Sequence, residues 1–173
     1  MIEFKYGLFA AFIIFFVMII EYTLIVPAVQ KAGYYIGIIA SVIPLFVIYP
    51  AIKERRDKTN FGYITFKEGF RTGIVITFMI AIMLVIATYV YFEFVNKGVA
   101  VRIAEEAGQN LLAAGSSSES ASSTVTFIKE NYSLESQIIT RLLLIMIAGT
   151  VTSIISASML KKTKRKKPLI PDQ

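Results

Sequence analysis

The chain has 173 residues and a formal net charge of +6; 55% of its residues are hydrophobic and 17% charged, where a soluble domain carries about a quarter charged residues. That balance is hard to reconcile with a solvated surface. The absence of Cys and His excludes disulfides, thiol nucleophiles, imidazole acid–base chemistry and the usual zinc sites.

A helix crossing a hydrocarbon core of about 30 Å needs about 20 mainly apolar residues. Four segments meet that requirement, so the expected fold is an all-α membrane protein in one four-helix domain, with spans at about 6–26, 33–52, 70–95 and 138–160. The first, Tyr6–Val26, is apolar except for Glu21 and stops at Pro27. A cleaved signal peptide fits it poorly, because the apolar run is too long and the residues before it are nearly neutral. The second, Gly33–Ile52, is uncharged, and Pro44 should kink it and free a backbone carbonyl.

The connection to the third span carries Lys53, Arg55, Arg56, Lys58, Lys67 and Arg71. Within it, Thr65-Phe66-Lys67-Glu68 has capping-box spacing, so the third helix should begin near Phe66. Phe61, Tyr63, Phe66 and Phe70 suit headgroup depth. This third span is uncharged from Thr72 to Phe92.

The connection 96–137 is the longest. Val99–Ala113 reads as an amphipathic helix, with Ala100, Ile103, Ala104, Ala107 and Leu111 on one face and Arg102, Glu105, Glu106 and Gln109 on the other. The Ser-rich stretch Gly115–Thr124 that follows reads as a flexible, solvated linker. The last span, Ile138–Leu160, is uncharged after Arg141 and runs into the basic tail 161–173.

Orientation follows from Lys and Arg beside the spans. Of the 18 basic residues, thirteen fall on Lys5, the second connection and the tail residues Lys161, Lys162, Lys164, Arg165, Lys166 and Lys167. Five fall on the opposite side: Lys31, Lys97, Arg102, Lys129 and Arg141. Both termini are therefore expected inside and the amphipathic helix outside. The basic tail should also touch anionic lipid headgroups, at about 1 kcal/mol per residue near the surface. This clustering at span ends argues against nucleic acid as a partner.

The order of parts resembles a known family. Arg55-Arg56-Asp57 after the second span, Gly62-Tyr-Ile-Thr-Phe-Lys-Glu-Gly-Phe70 leading into the third, and a long outer loop before a last span ending in Lys161-Lys162 are similar to the bacterial domain-of-unknown-function 4199 family. The resemblance covers essentially the whole chain and is most specific from Arg55 to Gly73. It implies a bacterial inner-membrane protein and supplies no activity and no site residues.

Small residues recur at four-residue spacing: Gly33, Gly37 and Ser41; Gly69, Gly73, Thr77 and Ala81; Gly149, Ser153 and Ala157. Such rows let helices approach closely in lipid, either as seams within the chain or between copies of it. Three ionisable residues fall at similar depth. Glu21 lies about 7 Å inside its span end, Glu93 near the end of the third span and Arg141 near the start of the fourth. Glu93 has Lys97 at the favourable i,i+4 spacing. Glu21 has no charged neighbour within a turn and is expected to face Arg141, whose fork can hold a carboxylate in two bonds. The alternative is a proton- or cation-relay role for Glu21.

No catalytic constellation is visible, no cofactor or metal is implied, and an intramembrane enzyme ranks last. The leading expectation is a non-enzymatic scaffold or accessory subunit with a membrane or periplasmic protein partner, or a second copy of itself. The runner-up is a small proton- or ion-coupled transporter using Glu21.

Overall fold

The computed structural model describes residues 2–25 and 35–163, and every described element of regular structure is helical. The short connection at Pro27–Ala32, Gly33 and the tail residues Lys164–Lys167 lie outside the described residues. Four helices are long and apolar enough to cross a membrane: α1 Ile2–Ile25, α2 Tyr35–Thr59, α3 Phe66–Val95 and α6 Leu134–Leu160. Between α3 and α6 stand α4 Val99–Ala113 and α5 Ser118–Asn131. Large apolar side chains such as Phe9, Phe12, Phe16, Ile82, Leu143 and Ile147 are exposed around the bundle. An apolar surface this extensive fits lipid, not water.

The helix starts follow local chemistry. At α3 the Thr65 hydroxyl accepts from the Glu68 amide (3.3 Å) and the Glu68 carboxylate accepts from the Thr65 amide (2.8 Å), so the capping box is complete. Ser133 caps α6 by accepting from the Ser136 amide (3.2 Å). In α2 the helix does break near Pro44, where residues Ile43–Val47 tighten to a 3₁₀ turn. It resumes as an α-helix at Ile48, with Pro50 in its first turn, where a missing amide hydrogen costs little.

α1 and α3 run parallel, with α2 and α6 antiparallel to them, and the most extensive helix pairing is α3 with α6. Its seam is built on small residues. A Cβ placed on Gly69 would meet Ala157 at 3.1 Å, one on Gly73 would meet Ser153 Oγ at 2.4 Å, and one on Gly149 would meet Thr77 at 2.3 Å. Each step of four along α3 is matched by a step of four back along α6, the register of an antiparallel seam. Gly69, Gly73, Gly149 and Ser153 thus face a neighbouring helix of the same chain, the packing expected where lipid gives helices little hydrophobic drive to associate.

The Ser-rich stretch corrects the linker expectation. Only the turn around Gly115 (φ +79°) is irregular. Ser117 then caps α5 by accepting from the Ser120 amide (3.2 Å). The hydroxyls of Ser122, Ser123 and Thr124 donate to carbonyls of the preceding turn, and Ala121, Thr124 and Ile128 are buried at helical spacing. A polar composition conceals an ordinary helix face. α5 packs along α4 as a hairpin, with Val125 close against Gly108.

Candidate functional site

The only buried ion pair among the described residues joins α1 to α6. Arg141 Nη2 donates to Glu21 Oε1 at 2.5 Å, with both side chains 2% exposed or less. Isolated, either charge would be costly at membrane depth; together, and supplied with further hydrogen bonds, they offset most of that cost. The guanidinium is oriented by Gln137 one turn earlier, whose Oε1 accepts from Arg141 Nε (2.8 Å) and from the Tyr22 hydroxyl (3.0 Å). The Gln137 amide in turn donates to the Asn131 carbonyl (2.7 Å), at the end of α5.

Around this pair is an aromatic wall. Tyr22 stacks on Tyr91 with ring centres 4.9 Å apart and meets Phe92 and Tyr132 edge-on at 5.4 and 6.1 Å. The Arg141 guanidinium lies 5.9 Å from the Tyr22 ring centre, a further favourable contact for a desolvated cation. The base of the α4–α5 hairpin closes the site, with Ile128 and Tyr132 fully buried and Phe127 beside Tyr35 at the start of α2.

Backbone geometry makes room for the carboxylate. Glu21 opens the wide π turn Glu21–Ile25 that ends α1, and such turns re-aim side chains. A Cβ on Gly37 would fall 1.9 Å from Glu21 Oε1, so the carboxylate occupies the space that a larger residue on α2 would fill. Gly37, read from sequence as a packing residue, serves here as the gap in α2 that admits a charged group. Glu21 Oε2 is buried and has no hydrogen-bond partner among the described residues.

The third acidic residue behaves differently. Glu93 is half-buried and, among the described residues, forms no ion pair with Lys97 or Arg141. The reason is local: α3 ends in a π turn over Tyr91–Val95, and Asn96 (φ −144°, ψ 68°) takes the chain out of the helix. Lys97 therefore does not follow Glu93 at a helical i,i+4 position. Gln137 and Tyr22, which the sequence reading passed over, complete the site instead; the polar residue one turn before Arg141 was the available signal.

Several hydroxyls of the spans are bonded locally, while Thr88 on α3 reaches across to Met18 Sδ on α1 (3.9 Å). Thr72, Thr77, Thr150 and Ser153 each donate to the carbonyl four residues back on their own helix.

At the opposite end of the bundle, Glu54 on α2 accepts from Lys5 (2.9 Å), Tyr6 (2.8 Å) and Lys58 (3.1 Å), and Arg55 pairs with Glu3. Backbone hydrogen bonds between Ile64 and Lys162 (2.8 and 3.0 Å) fasten the chain after α6 to the α2–α3 connection. The basic residues of that connection and Lys161 and Lys162 thus share one end of the bundle.

The model of a family described as a protein of unknown function, DUF4199, matches residues 5–162. The chain belongs to the DUF4199 family. No curated protein and no solved structure matches it. The DUF4199 match runs from the first turn of α1 through the six described helices, takes in the Glu21–Arg141 pair and ends on Lys162, the residue that bridges to Ile64.

Proposed function

We propose that this DUF4199 protein is a non-enzymatic scaffold or accessory subunit of the bacterial inner membrane, with both termini cytoplasmic and the α4–α5 hairpin displayed outside for a protein partner. One observation carries the reading. The buried polar network runs from Glu21 through Arg141 and Gln137 to the Asn131 carbonyl, so it ties α1 and α6 to the foot of the hairpin. Such a network fixes where the hairpin stands relative to the bundle. The Lys and Arg distribution supports the orientation, with thirteen basic residues assigned to the inner side and five to the outer. The family match supports the membrane class and is silent on activity.

The second reading, a proton- or ion-coupled carrier using Glu21, draws support from the partnerless Glu21 Oε2. Against it, the hydroxyls of Thr72, Thr77, Thr150 and Ser153 donate to their own helices instead of lining a route. The test is proton flux into liposomes carrying the purified full chain and a trapped pH dye. The scaffold reading predicts the leak of protein-free liposomes for both wild type and Glu21→Gln. A flux that the wild type supports and Glu21→Gln abolishes would overturn it.

A further inference from the structure

Two cavities lie along the seam between α1 and α3, and they share one face of each helix. The first, about 440 Å³, is lined by Glu3, Phe4, Arg55, Arg71, Val75 and Met79. The second, about 290 Å³, continues from Leu8, Ala11, Phe12 and Phe15 on α1 to Met83 and Ile86 on α3. Positions 4, 8, 11, 12 and 15 of α1 and 75, 79, 83 and 86 of α3 recur at helical spacing, so the two cavities form one furrow. Its mouth is cationic and its length is apolar.

The cations at the mouth have capacity left over. Arg55 gives Nη1 to Glu3, yet its Nε is buried with no hydrogen-bond partner. Arg71 is exposed and, among the described residues, has no ion pair. Both sit where the helices leave the apolar stretch, at headgroup depth. From Val75 to Ile86 the furrow runs about 16 Å at 1.5 Å per residue, matching the half-thickness of about 15 Å that one acyl chain spans.

We propose that this furrow binds one anionic phospholipid, with its phosphate between Arg55 and Arg71 and an acyl chain laid along the α1–α3 seam past Met79, Ala11 and Met83. Basic pockets between spans are the usual recognition mode for such headgroups, and bidentate donors suit a phosphate. This site is separate from the basic tail, and it does not depend on the scaffold reading.

The experiment is native mass spectrometry of the detergent-purified full chain, titrated separately with phosphatidylglycerol, phosphatidylcholine and inorganic phosphate. Wild type should retain one phosphatidylglycerol in preference to the other two. Arg71→Gln should weaken that adduct about fivefold, the effect of one basic residue at a membrane surface, while Lys161→Gln leaves it unchanged. Ala11→Phe, which fills the furrow without touching charge, should weaken it as well, with the thermal midpoint of each variant checking that the bundle is intact. Equal retention of the two lipids, indifference to Arg71→Gln, or phosphate bound as tightly as phosphatidylglycerol would each overturn the proposal.

Discussion

Replacing Glu21 by Gln leaves the shape of the site and removes one charge, so Arg141 is left buried with Gln137 Oε1 as its remaining strong acceptor. Replacing Arg141 by Met keeps an apolar stem and strands the Glu21 carboxylate against Gly37 and the aromatic wall. Breaking a buried pair from one side costs about 3–5 kcal/mol, mostly because the other charge stays buried without compensation. For a chain of this length each kcal/mol moves the thermal midpoint by about 2–4 °C, so either single variant should melt about 6–20 °C lower in detergent. The double variant removes both charges and should melt no lower than Arg141→Met alone, giving a coupling of at least about 3 kcal/mol. Thermal unfolding of the four proteins in one detergent is sufficient. Additivity within about 0.5 kcal/mol, the behaviour of independent sites, would refute the idea that the two side chains form one unit.

Gly37→Ala places a methyl group 1.9 Å from Glu21 Oε1; it should lower the midpoint about as far as Glu21→Gln does, and most of that loss should vanish in a Glu21→Ala background, read by the same melts. Ser117→Ala removes the cap of α5 and should cost about 1 kcal/mol; amide exchange should quicken over the first turn of α5, while the α3–α6 seam keeps its protection.

How much of this was legible in the sequence depended on whether a signal was local or belonged to a fold. The capping box at Thr65–Glu68 is written in four consecutive residues and sets the start of α3. Span lengths and the depth shared by Glu21 and Arg141 follow from hydropathy and rise per residue, and the structure has those two side chains in contact. Glu93 shows the limit of that reasoning. An i,i+4 pair requires a continuing helix, and the π turn at Tyr91–Val95 ends it two residues before Lys97. The Ser-rich stretch failed for the opposite reason, because composition outweighed the spacing of Ala121, Val125 and Ile128. The role of Gly37 could not be read at all, since a gap that admits a carboxylate from another helix has no signature on its own strand of sequence.

In the proposed topology the α4–α5 hairpin lies outside the membrane and the α2–α3 connection inside, and thiol labelling tests that directly. The chain contains no Cys, so single cysteines can be introduced at Ser122 on α5 and at Thr59 at the end of α2, both exposed. With a membrane-impermeant maleimide on intact spheroplasts, Ser122→Cys should label at once and Thr59→Cys only after the membrane is permeabilised. Labelling of Thr59→Cys in intact spheroplasts, with Ser122→Cys protected, would contradict the account at its foundation.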